Sequence, residues 1–288
     1  MLRGLYTAAS GMLAQQRRHD TITNNIANIN TPGFKGNNSV NRAFPEMLIS
    51  VMGGNNPSQG NVGKLSTGVF AEENLLSMTQ GDLRETYRFQ DLALMSDILV
   101  DGTSFDQSGK FVDENGEVTY KPQAFFAVTS AQGQERYTRD GSFKTAPDGT
   151  LLTSDGQQVV GANGQPIVVT VPWESVNVSA DGRLLDRATG LPLPGEPQLR
   201  IMRVDNPNML IREGDGRFRY AGDAAGIRQI AEGDRVEVRQ GYLERSNVDS
   251  AQSAVDLMSA LRAYEANQKV IQTYDRSLDK AVNEIGRV

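Results

Sequence analysis

From Leu257 the residues Ala260, Tyr264, Asn267, Ile271, Tyr274, Leu278, Ala281 and Ile285 follow at alternating spacings of three and four, and no glycine or proline interrupts residues 246–285. That is the period of a helical seam, and it narrows what this chain can become more than any other stretch. Ser246 and Asn247 are N-cap types standing just before Val248 and Asp249, so the pattern predicts one long helix from there onward. At 1.5 Å per residue such a helix spans roughly 60 Å, past the width of a small domain. Much of it would need a partner outside its own domain.

The N-terminus repeats the signal more weakly. Leu5, Met12, His19 and Ile26 recur every seven residues, and Ala8, Gln15, Ile22 and Ile29 stand three after each. Two ends with one period predict a paired rod. Two amphipathic helices lying on a single core satisfy the same pattern, and that is the commoner use of a long helix. The first helix is predicted to end near Asn30, because Thr31 precedes a proline and is pushed out of the helical region. Pro32-Gly33 suits a type II turn, with Phe34 anchoring the exit. Asn24, Asn25, Asn28 and Asn30 crowd the end of this helix, although asparagine is a poor helix-interior residue. Asn24, Asn28 and Thr31 share one face, which reads either as amides bonded to a neighbour or as a capped, fraying end.

A chain of 288 residues predicts about two domains. The net charge of -6 and the lack of any basic run interleaved with aromatics give no support to nucleic-acid binding. No apolar stretch approaches the roughly 18 residues of a membrane span. Thr7, Ser10 and the Gln15-Gln16-Arg17-Arg18 block spoil the apolar region that a cleaved signal peptide would need. Cysteine is absent, which excludes disulfides and thiolate metal sites.

Between the two ends the pattern turns β. Residues 53–63 are polar and rich in glycine and asparagine and read as an exposed loop. From Thr79 to about Val238, Asp-Gly or Asn-Gly pairs begin at Asp101, Asn115, Asp140, Asp148, Asp155, Asn163, Asp181 and Asp215, between short apolar runs such as residues 125–129 and 167–171. Such pairs supply the positive φ of tight hairpins and predict a β-rich sandwich or irregular barrel.

Little in the chain points to catalysis or metal binding. His19 is the sole histidine and sits in a heptad position, which leaves little for a triad or a multi-histidine site. The acidic Asp113-Glu114-Asn115-Gly116-Glu117 lacks the spacing of a calcium loop and is better read as a hairpin turn. No carboxylate pair suited to glycan cleavage is singled out. No catalytic residue, metal site or cofactor is expected.

The run from Ala9-Ser10-Gly11-Met12 to Asn24-Asn25-Ile26-Ala27-Asn28-Ile29-Asn30-Thr31-Pro32-Gly33-Phe34-Lys35 resembles the N-terminal signature of bacterial flagellar rod and hook proteins. Gly241-Tyr242-Leu243-Glu244-Arg245-Ser246-Asn247-Val248-Asp249 and Arg262-Ala263-Tyr264-Glu265-Ala266-Asn267 resemble the matching C-terminal signature. Thr79-Gln80-Gly81-Asp82-Leu83 and Tyr137-Thr138-Arg139-Asp140-Gly141-Ser142-Phe143 agree with the family as well. Leu65-Ser66-Thr67-Gly68-Val69 is more like the rod subunits than the hook subunit, with distal rod subunits the nearest likeness and proximal ones next.

The resemblance implies an α+β fold, with long N- and C-terminal coiled-coil-forming helices and a central all-β domain. Residues 1–35 and 246–288 would form the axial helical domain, 36–78 a connecting segment and 79–245 an outer β domain. The family runs from a Leu-Asp-Xaa-Ala-Ile stretch almost directly into Gly-Asp-Gly-Phe-Phe. Here Asp91-Leu92-Ala93-Leu94 lies about thirty residues before Phe125-Phe126, so a hairpin inserted near residues 95–121, with Asn115-Gly116 at its tip, is expected.

The implied function is structural: a rod subunit in the basal body, polymerising into a helical tube that passes torque from motor to hook and encloses the export channel. Implied partners are further copies of the chain, other rod and hook subunits, and the type III export apparatus that would deliver it uncleaved. The expected assembly interface comprises Leu5, Met12, Ile22, Asn24, Asn25, Ile26, Asn28 and Ile29 with Leu257, Tyr264, Asn267, Ile271, Tyr274, Leu278 and Ile285, and Thr31, Pro32, Gly33 and Phe34 form the turn and exit. The alternative of another class is an envelope glycan-cleaving enzyme built on the β domain, which would lose activity on a single Asp or Glu change while still assembling.

Overall fold

The computed structural model describes residues 2–50, 61–100, 102–106, 109–130, 133–231 and 233–285, so most of the loop expected over 53–63 lies outside the described residues. The chain forms two compact units. One comprises Met1–Ala27, Asn37–Leu75 and Asp249–Val288; the other comprises Asn28–Gly36 and Leu76–Val248.

The larger unit is organised on the strand Gln123–Thr129, buried from Gln123 to Val128. Successive side chains of a strand point to opposite faces, and here both faces meet apolar neighbours. Ala124, Phe126 and Val128 enter a core with Leu92, Leu94, Phe143, Trp173 and Ile201. Phe125 and Ala127 enter a second with Met202, Val204, Leu210 and Phe218. One edge of this strand pairs with Glu135–Thr138, and the other is shared by Ile201–Val204 and Gln158–Val159. Among the described residues the sheet reaches nine strands, paired antiparallel. A separate pair, Leu92–Ser96 with Val236–Gln240, lays Leu92, Leu94, Val236 and Val238 on the first core.

Most of the Asp-Gly and Asn-Gly pairs close turns on a glycine at positive φ, as at Gly149 and Gly182. Asp140-Gly141 is different. A Cβ on Gly141 would sit 1.6 Å from the Leu92 carbonyl oxygen, and Leu92 N–H donates to Gly141 O at 3.0 Å, so close backbone approach dictates the glycine. Residues 167–171 do not form the expected strand. Ile167 and Val169 are buried, and their backbones bond to Leu151 and Gly149 at 2.8 Å around the isolated bridge between Thr150 and Val168. Lys110–Val112 and Val118–Tyr120 form a hairpin. Its turn is closed by Asp113 Oδ1, which accepts from Asn115 N and Glu117 N, while Met95 lies in the strand opposite Glu237.

The smaller unit holds α1 (Leu2–Ala27), α2 (Ser250–Lys280) and two β-ribbons, Asn41–Ala43 with Val69–Ala71 and Met47–Ser50 with Asn61–Leu65. A Cβ on Gly4 would meet Tyr274 Oη, one on Gly11 would meet Asn267 Nδ2, and Arg18 pairs with Asp256 at 3.2 Å. Rising numbers on α1 meet falling numbers on α2, so the helices run antiparallel.

This corrects the expected fold class. The chain has one helix at each end of a mainly β structure, not long coiled-coil-forming helices flanking a central all-β domain, and strands occur in both units. A coiled coil needs bulky apolar knobs at its core positions, whereas α1 turns Gly4, Ala8 and Gly11 inward and leaves Tyr6 68% and Leu13 63% exposed. The helices are also shorter than expected. α1 stops at Ala27 rather than near Asn30. The cap of α2 is Asp249, whose carboxylate accepts from Ala251 N and Gln252 N, and not Ser246 or Asn247. Beyond Lys280, residues Ala281–Ile285 form a π turn, whose i→i+5 bonding breaks the three-and-four spacing at Ala281 and Ile285. At 1.5 Å per residue α2 spans about 46 Å.

Candidate functional site

The two sequence signatures, more than two hundred residues apart, meet in the larger unit. Thr31 O accepts from Phe34 N at 3.3 Å, and Gly33 takes φ of +65°, as a type II turn over Pro32-Gly33 demands. The turn packs tightly, because a Cβ on Gly33 would lie 2.4 Å from the Arg139 carbonyl carbon. Gly33 N–H donates to Glu244 O at 2.8 Å, and Asn247 N–H to Phe34 O at 3.4 Å. Phe34 is buried beneath the Arg212 guanidinium, 4.3 Å from its ring centre, and Arg212 Nη2 donates to Lys35 O.

Beneath this turn lies a buried ionic node. Lys35 Nζ bonds Glu244 Oε1 at 2.6 Å and donates to Thr79 O at 2.9 Å, and Gly81 N–H donates to the same Glu244 oxygen at 2.9 Å. Arg139 Nε stands 3.1 Å from Glu244 Oε2, without the angle of a hydrogen bond. Arg139 Nη1 donates to Ala124 O at 2.7 Å. All three side chains are at most 1% exposed. Burial, then repulsion from Arg139, outweighs the attraction of Glu244 and holds the Lys35 ammonium down at about 8. Burial pushes the Glu244 carboxyl up, but Arg139, Lys35 and the Gly81 amide together hold it below its ordinary value. The opposite shifts in propensity for charge are consistent, because one carboxylate answers two cations. Glu244 is the group kept ionised, and Lys35 is the one that most readily gives up its charge.

The asparagines divide in their use. Asn25 grips the Asn37 backbone, donating to its carbonyl at 2.8 Å and accepting from its N–H at 2.9 Å. Asn28 Oδ1 accepts from the Thr31 hydroxyl at 3.3 Å, a local cap, and Asn24 is exposed on α1. Asn247 Oδ1 accepts from Gly36 N at 2.7 Å, and its Nδ2 donates to Ser77 O at 2.8 Å and Thr79 O at 3.1 Å. Lys35, Arg139 and Glu244 each stand inside a segment that resembles the family, but no spacing or periodicity shows that the three converge, since the segments are distant in the chain.

On α1, Ile22 is buried, while Leu5, Met12, Ile26 and Ile29 of the N-terminal segment are half-buried. On α2, Leu257, Tyr264, Asn267, Ile271, Tyr274 and Leu278 form a half-buried stripe around the buried Ala260, the stripe that meets α1 at Tyr274 and Asn267. Ile285 ends the π turn. Apolar side chains also face away from this contact. Tyr6 and Leu13, seven residues apart, are exposed on α1, as are Val255, Met258, Leu261 and Val270 on α2. At about 100° per residue Tyr6 and Leu13 lie opposite the contact on α1 and Val255 and Met258 lie opposite it on α2, whereas Leu261 and Val270 flank the contact stripe on its two sides.

Among the described residues no group of histidines and carboxylates could hold a metal ion, and no helix is long and apolar enough to cross a membrane. A cleft of about 440 Å³ is lined by Arg84, Glu85, Thr86, Arg88, Asp91 and Leu243. Asp91 is 1% exposed, and neither carboxylate oxygen has a hydrogen-bond partner.

Three family descriptions match the chain: "Flagella basal body rod protein" over residues 5–35, "Flagellar hook protein FlgE/F/G D1 domain" over 121–185 and "Flagellar basal body rod FlgEFG protein C-terminal" over 239–284. Among similar proteins, the flagellar hook-basal body complex protein FlhO of Bacillus subtilis is 36% identical, with 100% of each chain covered. The flagellar basal-body rod protein FlgG of Borreliella burgdorferi is 31% identical, with 98% of each covered. The flagellar basal-body rod protein FlgF of Caulobacter vibrioides is 28% identical, with 100% of each covered.

Proposed function

The chain belongs to the flagellar basal-body rod protein family, and from that premise we propose that its paired terminal helices carry the surface through which it assembles. It is a structural subunit of the rod, in the basal body within the cell envelope, and not an enzyme; the glycan-cleaving alternative is not favoured. It polymerises with other rod and hook components.

The observation that carries the proposed surface is the second apolar face on each helix. The half-buried stripe of Leu257, Tyr264, Asn267, Ile271, Tyr274 and Leu278 joins α2 to α1 within one chain, with Leu5, Met12, Ile22 and Ile26 beside it. Tyr6 and Leu13 on one helix, and Val255 and Met258 on the other, then face the neighbouring subunits. Two distinct faces make head-to-tail contacts, and such contacts build open helical polymers rather than closed dimers. A tube built this way encloses a channel and passes torque along its length. Export through the flagellar type III apparatus belongs to the same reading, and the absence of cysteine lets the chain be threaded without reducing a disulfide.

The test is Leu13→Asp together with Val255→Asp. Both positions are exposed in the monomer, so its melt should be unchanged, while polymer formation and motility should be lost because each subunit would bury an unpaired charge at a contact. Normal swimming of both variants would remove the outward faces from the assembly surface.

A further inference from the structure

The division into two units requires the chain to cross between them four times, at residues 27–28, 36–37, 75–76 and 248–249. Three of those crossings lie beside segments tied to one side chain in the larger unit. Asn247 precedes the last crossing by one residue. Its carbonyl oxygen accepts from Gly36 N–H, the residue before the second, at 2.7 Å. Its amide nitrogen donates to the carbonyls of Ser77, just after the third, at 2.8 Å, and of Thr79 at 3.1 Å. A primary amide has an acceptor oxygen and two N–H donors, so both ends of this one are occupied. The same three segments are also laced by backbone bonds, Ser77 N–H to Gly36 O at 2.8 Å and Asn247 N–H to Phe34 O at 3.4 Å.

We propose that Asn247 is a positioning residue for assembly, holding three of the four chain crossings in one register so that the helix-bearing segments leave the β-rich unit from a fixed point. This rests on the assembly reading above. An amide is the group the geometry needs. A carboxylate of the same shape would still accept from Gly36 but would present oxygen to the Ser77 and Thr79 carbonyls, and a methyl group would bond to none of them. None of Gly36, Ser77, Thr79 and Asn247 belongs to the apolar clusters of the β core, which the neighbouring Leu76 and Met78 touch from its margin.

The experiment compares Asn247→Asp and Asn247→Ala with the wild-type chain, using amide hydrogen exchange and limited proteolysis on the monomer and a polymerisation assay on the full chain. Both variants should keep the cooperative melt of the β core. In Asn247→Ala the Gly36 amide should exchange about tenfold faster, the factor expected for one lost hydrogen bond. In Asn247→Asp that amide should stay protected while residues 75–79 become open to protease. Both should polymerise poorly. Unchanged exchange and cleavage at the crossings would overturn the proposal, as would normal polymerisation with the crossings opened, or a uniform fall in protection across the core. The exchange measurement reads the staple whether or not polymer forms, so failure of the assembly reading and failure of this inference are distinguishable.

Discussion

Lys35 and Glu244, 209 residues apart in the chain, are joined by a 2.6 Å hydrogen bond between side chains that are each 1% exposed. Arg139 stands on the other carboxylate oxygen at 3.1 Å, so the node carries two cations and one anion. Its response to substitution therefore depends on which charge is removed.

Glu244→Gln leaves Lys35 and Arg139 buried without their counter-ion and should cost about 3–5 kcal/mol. Lys35→Met leaves a one-to-one pair and loses the bond to Thr79 O, at a cost of about 1–3 kcal/mol. Urea denaturation should show the lower midpoint for Glu244→Gln. The reverse order would refute the charge count of the node.

The same node sets a pH dependence. Burial and Arg139 hold Lys35 at about 8 against an ordinary 10.5, so between those values the unfolded chain binds the extra proton and stability rises with pH. The ceiling is about 3 kcal/mol at 1.36 kcal/mol per pH unit. Tyr137, pushed up to about 12 by burial, then by Glu135, acts oppositely above its ordinary value of 10. The gain should therefore be visible from pH 8 to about 10 and flatten beyond it. At the acid end Glu244 is held low, so its contribution is present above the ordinary value and lost as pH falls through the folded one. Thermal melts of wild type and Lys35→Met test this, and the rise above pH 8 should vanish in the variant.

Ile271 lies on the α2 stripe between Asn267 and Tyr274, which meet Gly11 and Gly4. Ile271→Asp should loosen the helix pair already in the monomer, seen as faster proteolysis of α1 and α2, with the β core melting unchanged. Lys269→Asp, on the exposed side, is the control. Equal protease resistance of the two variants would show that Ile271 does not support the pair.

Gly141→Ala should be among the most damaging single-atom changes in the protein. The added carbon would overlap the Leu92 backbone oxygen at 1.6 Å, in a core strand that cannot retreat, so a loss of about 3 kcal/mol or more is expected. A melting temperature within about 2 °C of wild type would contradict that packing, since 1 kcal/mol is worth about 2–4 °C at this size.

Asp91→Asn should stabilise. The carboxylate is buried with neither oxygen bonded, and an unpaired buried charge costs more than an unpaired amide. A gain of about 1 kcal/mol, or a few degrees in Tm, is expected near neutral pH. A loss would mean that the charge is compensated by the arginines lining the cleft.

The seam of α2 was legible because residues 257–278 share one helical face whatever they pack against, and the turn at Pro32-Gly33 because local sterics dictate it. Period alone did not distinguish the expected coiled coil from the close helix contact that forms instead. Spacing marks a face, but Gly4, Ala8 and Gly11 on α1 set how closely a partner approaches and what kind of contact results. The capping assignment failed for a related reason. Ser246, Asn247 and Asp249 are all N-cap types, and the demand of Gly36, Ser77 and Thr79 for the Asn247 amide leaves Asp249 to start the helix. The Lys35, Arg139 and Glu244 node was hidden because long-range pairing of single charged residues leaves no periodic trace.

The antiparallel order of the helix pair acts as a clock. Gly4 is met by Tyr274 and Gly11 by Asn267, so the first helix made waits for the last. At roughly 5–20 residues per second of synthesis, α1 spends on the order of ten seconds to a minute without its own partner. A truncated chain never acquires one. Completion of the polypeptide is thus the earliest moment at which the helix pair can close, and export of a threaded chain would postpone that closure until both ends have arrived.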